Sequence, residues 1–256
     1  MKTFTQILLT LTSVVSIAAV WSVPHTSSQT LISKLERQTE FLPQSALPVE
    51  QLIEVAQQFK IPMAIEWLER SNAKPQTVVT FSGGSVLQLL NAILQESSEH
   101  QLVVEDRMLR VFSQAVVSHP FNFLNLHISR YQVTDESLLG AQAMLRTKIN
   151  MMLYPELYKH GYGGGYGGAA DSGFWVRNIS FSGQDLTIRE ILMKIAEANG
   201  NAVWVVRLSP EELAGDKPKW LGVAINEYGH APINDRWRFI ALSECERSKR
   251  LQLTAR

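Results

Sequence analysis

One phrase of this chain occurs twice. Thr80-Phe81-Ser82-Gly83 returns as Ser180-Phe181-Ser182-Gly183, and what surrounds it returns as well. In both places an apolar strand pattern meets a small-residue turn, then a helix pattern, then another apolar run. With two extra residues in the second turn, Val86, Leu89, Leu90, Ile93 and Leu94 fall on Ile188, Ile191, Leu192, Ile195 and Ala196. The i, i+3, i+4, i+7, i+8 spacing puts each set on one helix face. Ser85 with Gln88, and Thr187 with Glu190, have the spacing of a reciprocal N-terminal cap.

The preceding strands read Val78 to Phe81 and Val176 to Phe181, β-branched and aromatic as a half-buried pleated surface requires. After the helices, Gln101 to Val104 and Ala202 to Val206 are strand-like. Upstream, Leu52, Val55, Ala56 and Phe59 form a helical stripe entered at Pro48, and Ile61 to Trp67 reads as a strand. In the second half Leu126 to Val133 reads as a strand, and Thr134-Asp135-Glu136 as a helix start. Leu138, Leu145, Ile149 and Met152 follow at helical spacing, with Gln142 interrupting the apolar stripe. Met108 to Ser113 and Arg236 to Leu242 close the two halves. The expected class is α+β: two small β-α-β-β-α-β modules in tandem, at 42–115 and 119–242.

The amino terminus carries Lys2, an apolar stretch from Ile7 to Val23, then Pro24 and a polar run. Residues 1–23 have the layout of a secretory signal peptide, or of an uncleaved signal anchor. The expected location is the periplasm, with N-terminal membrane contact if the segment is retained. Cys245 is the only cysteine, so no intrachain disulfide forms. Twenty-four Lys+Arg balance 24 Asp+Glu, which leaves no global field to draw in nucleic acid.

Residues 24–41 read as a tether and a short amphipathic lead-in, with Leu31, Leu35 and Leu42 as the apolar contacts on offer, and Gln114 to Pro120 as a boundary. Two insertions enlarge the second module. One, at 156–173, holds the Gly-Tyr run His160 to Gly168, which lacks the Gly-Lys-Ser/Thr ending of a phosphate loop. The other spans 208–235, and 243–256 is a C-terminal tail. Trp175, Trp204, Trp220 and Trp237 concentrate in the second half and Trp67 lies in the first. They read as packing residues, with ring or peptide stacking the alternative.

The stretch Leu47-Pro48-Val49-Glu50-Gln51-Leu52 leads into the helix to Phe59, the strand Ile61 to Ile65, and Val79-Thr80-Phe81-Ser82-Gly83. A helix ending at Ile93-Leu94 and strands Leu102 to Glu105 and Leu109 to Phe112 complete the order. Over about Leu42 to Ser113 this resembles the short N-terminal (STN) domain of secretins and TonB-linked receptors. Phe121 to Val206 looks like a second, interrupted copy. The resemblance implies a non-catalytic module that touches other envelope proteins through sheet edges and helix faces. No barrel pattern of alternating strands follows the modules, so the resemblance carries fold and binding style, not a channel.

The chemistry agrees with that expectation. His25, His100, His119, His127, His160 and His230 are scattered, at no recognised metal spacing. Phe81-Ser82-Gly83-Gly84-Ser85 is not a Gly-x-Ser-x-Gly nucleophile elbow. Asp135-Glu136 and Glu211-Glu212 read as helix-start carboxylates serving the dipole. No catalytic residue, cofactor or metal is expected. The expected partner is an envelope protein, as an accessory to a secretin, pilus or TonB-linked system, with self-association open. The alternative is an exported hydrolase of cell-wall or peptide material with its site in the second module.

Overall fold

The computed structural model describes residues 26–69, 80–95, 97–105, 107–153, 155, 178–200, 202–214 and 237–241. The apolar leader, the Gly-Tyr run, Trp175, Trp220 and Cys245 lie outside them. No helix among the described residues is long and apolar enough to cross a membrane.

The helical elements are α1 (Thr26–Glu36), α2 (Pro48–Phe59), α3 (Val86–Gln95), α4 (Gln114–Val117), α5 (Leu138–Leu153), α6 (Ile188–Asn199) and α7 (Pro210–Leu213). The strands are β1 (Met63–Leu68), β2 (His100–Glu105), β3 (Met108–Ser113), β4 (His127–Glu136), β5 (Ile179–Thr187), β6 (Ala202–Leu208) and β7 (Trp237–Ala241). The class is α+β with a mixed sheet. Five strands run in the order β2-β3-β1-β6-β7, and β4-β5 form a separate antiparallel pair.

Both helix faces are buried as the spacing predicts. Val86, Leu89, Leu90, Ile93 and Leu94 of α3 are in the core, as are Ile188, Ile191, Leu192, Ile195 and Ala196 of α6. Each of the valine, leucine and isoleucine side chains contributes about 1.5–3 kcal/mol on leaving water. The caps form too. Ser85 N–H donates to Gln88 Oε1 at 2.8 Å and Gln88 N–H to Ser85 Oγ at 3.2 Å. At α6, Thr187 N–H donates to Glu190 Oε2 at 2.7 Å and Glu190 N–H to Thr187 Oγ1 at 3.2 Å.

The two halves share one sheet. β1 lies between β3 and β6, parallel to both, with Met63 to Leu68 registered on Val203 to Leu208. Side chains alternate across that sheet. Met63, Ile65, Leu109, Val111, Val203 and Val205 enter the core with α1, α2 and α3. Ala64, Met108, Trp204, Val206 and Leu208 enter the other, with α5, α6, β4 and β5. The helices of the first half therefore cover one face and those of the second half the other.

Several expectations are corrected. Over their described length residues 24–41 are the amphipathic lead-in and not a free tether. Leu31 and Leu35 of α1 are buried against α2 and α3, and Phe41 pairs with Phe81 in an antiparallel bridge. An amphipathic turn with leucines four apart gains more by docking than by staying solvated. Leu42 is 74% exposed instead. The boundary Gln114 to Pro120 is an ordered joint. Val116 is buried in the second core, and the Nδ2 atoms of Asn122 and Asn125 donate to the Val116 and Val117 carbonyls.

The repeated tetrapeptide takes two backbones. At the first copy Gly84 has φ +137°, and a Cβ there would lie 2.7 Å from the Phe81 ring. That turn needs glycine. At the second copy no turn occurs, because β5 runs on to Thr187 with Gly183 opposite Tyr131. The difference lies in the pairing partner. β4 offers a full-length edge to β5, whereas among the described residues the first copy has only the Gln38 and Phe41 bridges. For the same reason Thr134-Asp135-Glu136 is strand, not helix start. Asp135, at φ +54°, sits in a bulge held by its N–H donating to Ser180 Oγ at 2.8 Å. Ser137 opens α5 instead, its Oγ accepting from Gly140 N–H at 3.0 Å.

Candidate functional site

β4 pairs with β5 along one edge and, among the described residues, with no strand along the other. Ile128, Tyr131 and Val133 point into the core, and Tyr131 Oη donates to the Ala141 carbonyl at 2.7 Å, tying β4 to α5. Alternation with Tyr131 and Val133 turns Arg130, Gln132 and Thr134 outward, and Glu136 follows the bulge at Asp135. With Met144 and Lys148 of α5 they line an open groove of about 440 Å³. Arg130, Gln132 and Thr134 are exposed, and Arg130 Nη2 donates to Gln132 Oε1 at 3.1 Å. Glu136 is half-buried, and its carboxylate lies over Gly140 in the first turn of α5, so it alone of the Asp135-Glu136 pair meets that helix end.

The groove thus offers two cations, one carboxylate, an amide, a hydroxyl and a thioether beside an unpaired strand edge. Such a surface suits an extended chain: backbone groups for ladder bonds, polar side chains for register, Met144 for an apolar contact. Sequence reading recognised β4 as a strand but not this site. The strand reading stopped at Val133 and gave Thr134 and Glu136 to a helix start, and the approach of Met144 and Lys148 depends on how α5 packs.

The residues weighed for chemistry fall apart in space. Ser85 is a helix cap. His100 is buried, stacked on Trp67 at 3.9 Å between centroids, with Nε2 accepting from Leu68 N–H at 3.1 Å. His119 Nδ1 accepts from Phe121 N–H at 3.2 Å. His127 Nδ1 lies 3.1 Å from Asp185 Oδ1 on the surface, a pairing the sequence did not suggest. Among the described residues no three His, Cys, Asp or Glu side chains cluster to hold a metal. Trp204 is fully buried in the second core, as packing predicts. Glu211 and Glu212 lie within α7. His25, His160 and His230 lie outside the described residues.

A second charged feature joins the halves. Glu66 on β1 is wholly buried and receives Arg189 of α6 and Arg110 of β3. Arg110 also reaches Glu105 at 3.2 Å, and Arg189 reaches Asn125 Oδ1 at 2.6 Å. Glu50 of α2 pairs with Arg207 of β6 and Arg238 of β7. Each of these carboxylates is paired within the chain, Glu66 buried and Glu50 partly exposed. No protein-family model, curated protein or solved structure matches this chain.

Proposed function

We propose that the protein is a non-catalytic interaction protein of the bacterial cell envelope, exported to the periplasm. It is built from two STN-like modules and takes an extended segment of an envelope protein along β4. The groove beside the unpaired β4 edge carries this reading. Arg130 and Lys148 favour a segment with an acidic residue.

The tandem arrangement is supported by element order. In each half an antiparallel pairing at Phe81 or Phe181 precedes a capped helix, α3 or α6. An antiparallel strand pair follows each helix, β2-β3 or β6-β7. The halves then join through β1 and β6. Export rests on the leader sequence, and the binding style on the resemblance and the open edge.

The test is site-specific photocrosslinking in intact cells, with the probe at Thr134. A discrete adduct that weakens with Arg130→Glu and Lys148→Glu is expected, together with fractionation of the chain in the envelope. Background adducts only, or a chain that stays in the cytosol, would overturn the reading.

A further inference from the structure

The strand β2 ends the five-stranded sheet, and its outer edge is unpaired among the described residues. Its sequence, His-Gln-Leu-Val-Val-Glu, has neither the lysine nor the proline that usually guards such an edge. Val103 and Val104 are 37% and 49% exposed, although they point to opposite faces. Neither helix layer reaches over them. We propose that this edge pairs antiparallel with β2 of a second copy, joining two sheets into one about a two-fold axis at Val103.

Backbone direction and side-chain order both argue for that register. Leu109 N–H donates to the Pro62 carbonyl, towards β1, at 3.0 Å. Strand groups alternate sides, so Arg110 faces β2, and its partner Val103 turns its N–H and C=O inward to β3. Leu102 and Val104 therefore present theirs to the open edge. With Val103 opposite Val103 of the second copy, each Leu102 faces a Val104, and the two pairs exchange four backbone hydrogen bonds. Leu102 and Val104 share one sheet face with Leu109 and Val111, so the apolar contact is continuous with the first core. The same register sets Gln101 opposite Glu105. Just beyond the strand ends it sets Glu99 opposite Arg107, opposite charges at both ends of the ladder. A shift of one residue would place Val103 against Leu102 and lose the Glu99–Arg107 match. A strand that is complementary to itself in one register fits a second copy of this chain better than an unrelated segment.

The full-length chain in mild detergent, followed by light scattering over a dilution series, tests this. A dimer is expected, and Val103→Lys, which sets like charges opposite each other, should raise its dissociation constant by at least about tenfold. Glu99→Arg should weaken it, and Glu99→Arg with Arg107→Glu should restore it, because the swap returns the charge match. In a Cys245→Ser background, Val103→Cys should oxidise to a covalent dimer faster than Val104→Cys, since only residue 103 meets itself. Circular dichroism unchanged from wild type, with an unchanged melting temperature at a dilution where wild type is monomeric, excludes a folding defect in each variant. A wild-type monomer, a dimer indifferent to Val103→Lys, or Val104→Cys bridging as fast as Val103→Cys would overturn the proposal.

Discussion

Arg189 grips Glu66 with two hydrogen bonds, Nε to Oε1 at 2.7 Å and Nη2 to Oε2 at 3.0 Å, across 123 residues of sequence. The carboxylate is wholly buried on β1, and the guanidinium comes from the first turn of α6. A carboxylate there without its cations would carry most of its desolvation penalty uncompensated. The pair therefore fixes where the second half sits on the first.

Breaking it should be costly. Arg189→Met keeps the volume but leaves Glu66 with Arg110 alone, and should destabilise the fold by about 3–5 kcal/mol. Adding Glu66→Leu should recover much of that loss, because Arg110 keeps Glu105 as a partner. Urea unfolding of the four proteins in a double-mutant cycle measures both effects.

Gln51 on α2 is fully buried, and among the described residues neither its Nε2 nor its Oε1 has a hydrogen-bond partner. Its amide is desolvated without compensation. Gln51→Leu should stabilise the protein by about 1–3 kcal/mol. A higher urea midpoint at unchanged slope is the expected readout, and a lower midpoint would contradict the assignment.

Lys60 closes α2 in the left-handed region, at φ +55°. Its N–H donates to the Ala56 carbonyl, and its own carbonyl accepts from Lys34 Nζ at 2.6 Å, so the backbone cannot relax. Lys60→Gly keeps both bonds and removes the Cβ strain. It should gain about 0.5–1 kcal/mol after the entropy cost of glycine in the unfolded chain. Thermal unfolding measures it.

The Thr187 backbone N–H beside Glu190 holds its carboxyl below the usual carboxylate range, opposed by partial burial and helped by the Thr187 hydroxyl, His127 and Lys194. A carboxyl depressed in the folded state stabilises the fold fully above its ordinary value. That contribution fades as pH falls through the folded value. Glu190→Gln should therefore lower stability modestly at neutral pH, and the gap to wild type should close on acidification below the usual carboxylate range. Urea midpoints measured from neutral pH down past that range test the sign.

Much of the local structure was legible before any coordinates. The stripe on α3 and α6, their caps, and the β2-β3 hairpin follow from spacings of a few residues, where neighbours in sequence are neighbours in space. The polar row Arg130, Gln132, Thr134 and Glu136 was not visible in the same way, because its last two members read as a helix start. Nor was its meaning as a groove, because Met144 and Lys148 reach it only through the packing of α5. Glu66 lies inside the run read as a strand, and Arg189 in the first turn of the second repeated helix, and no spacing singled out either. Nothing in the sequence paired them.

The sequence by itself determined most of the helices and strands, which faces of α3 and α6 are apolar, and that a small-residue turn precedes α3. Only the tertiary structure decided that β1 pairs with β6, that α1 docks on its own half, and that Phe-Ser-Gly is a turn once and a strand once. Local periodicity specifies a face to be buried but not the surface that buries it. A run such as Met63 to Leu68 can be satisfied by any strand of matching length. The choice falls to long-range packing, here to the registered rows around β1 and to a charge pair separated by half the chain.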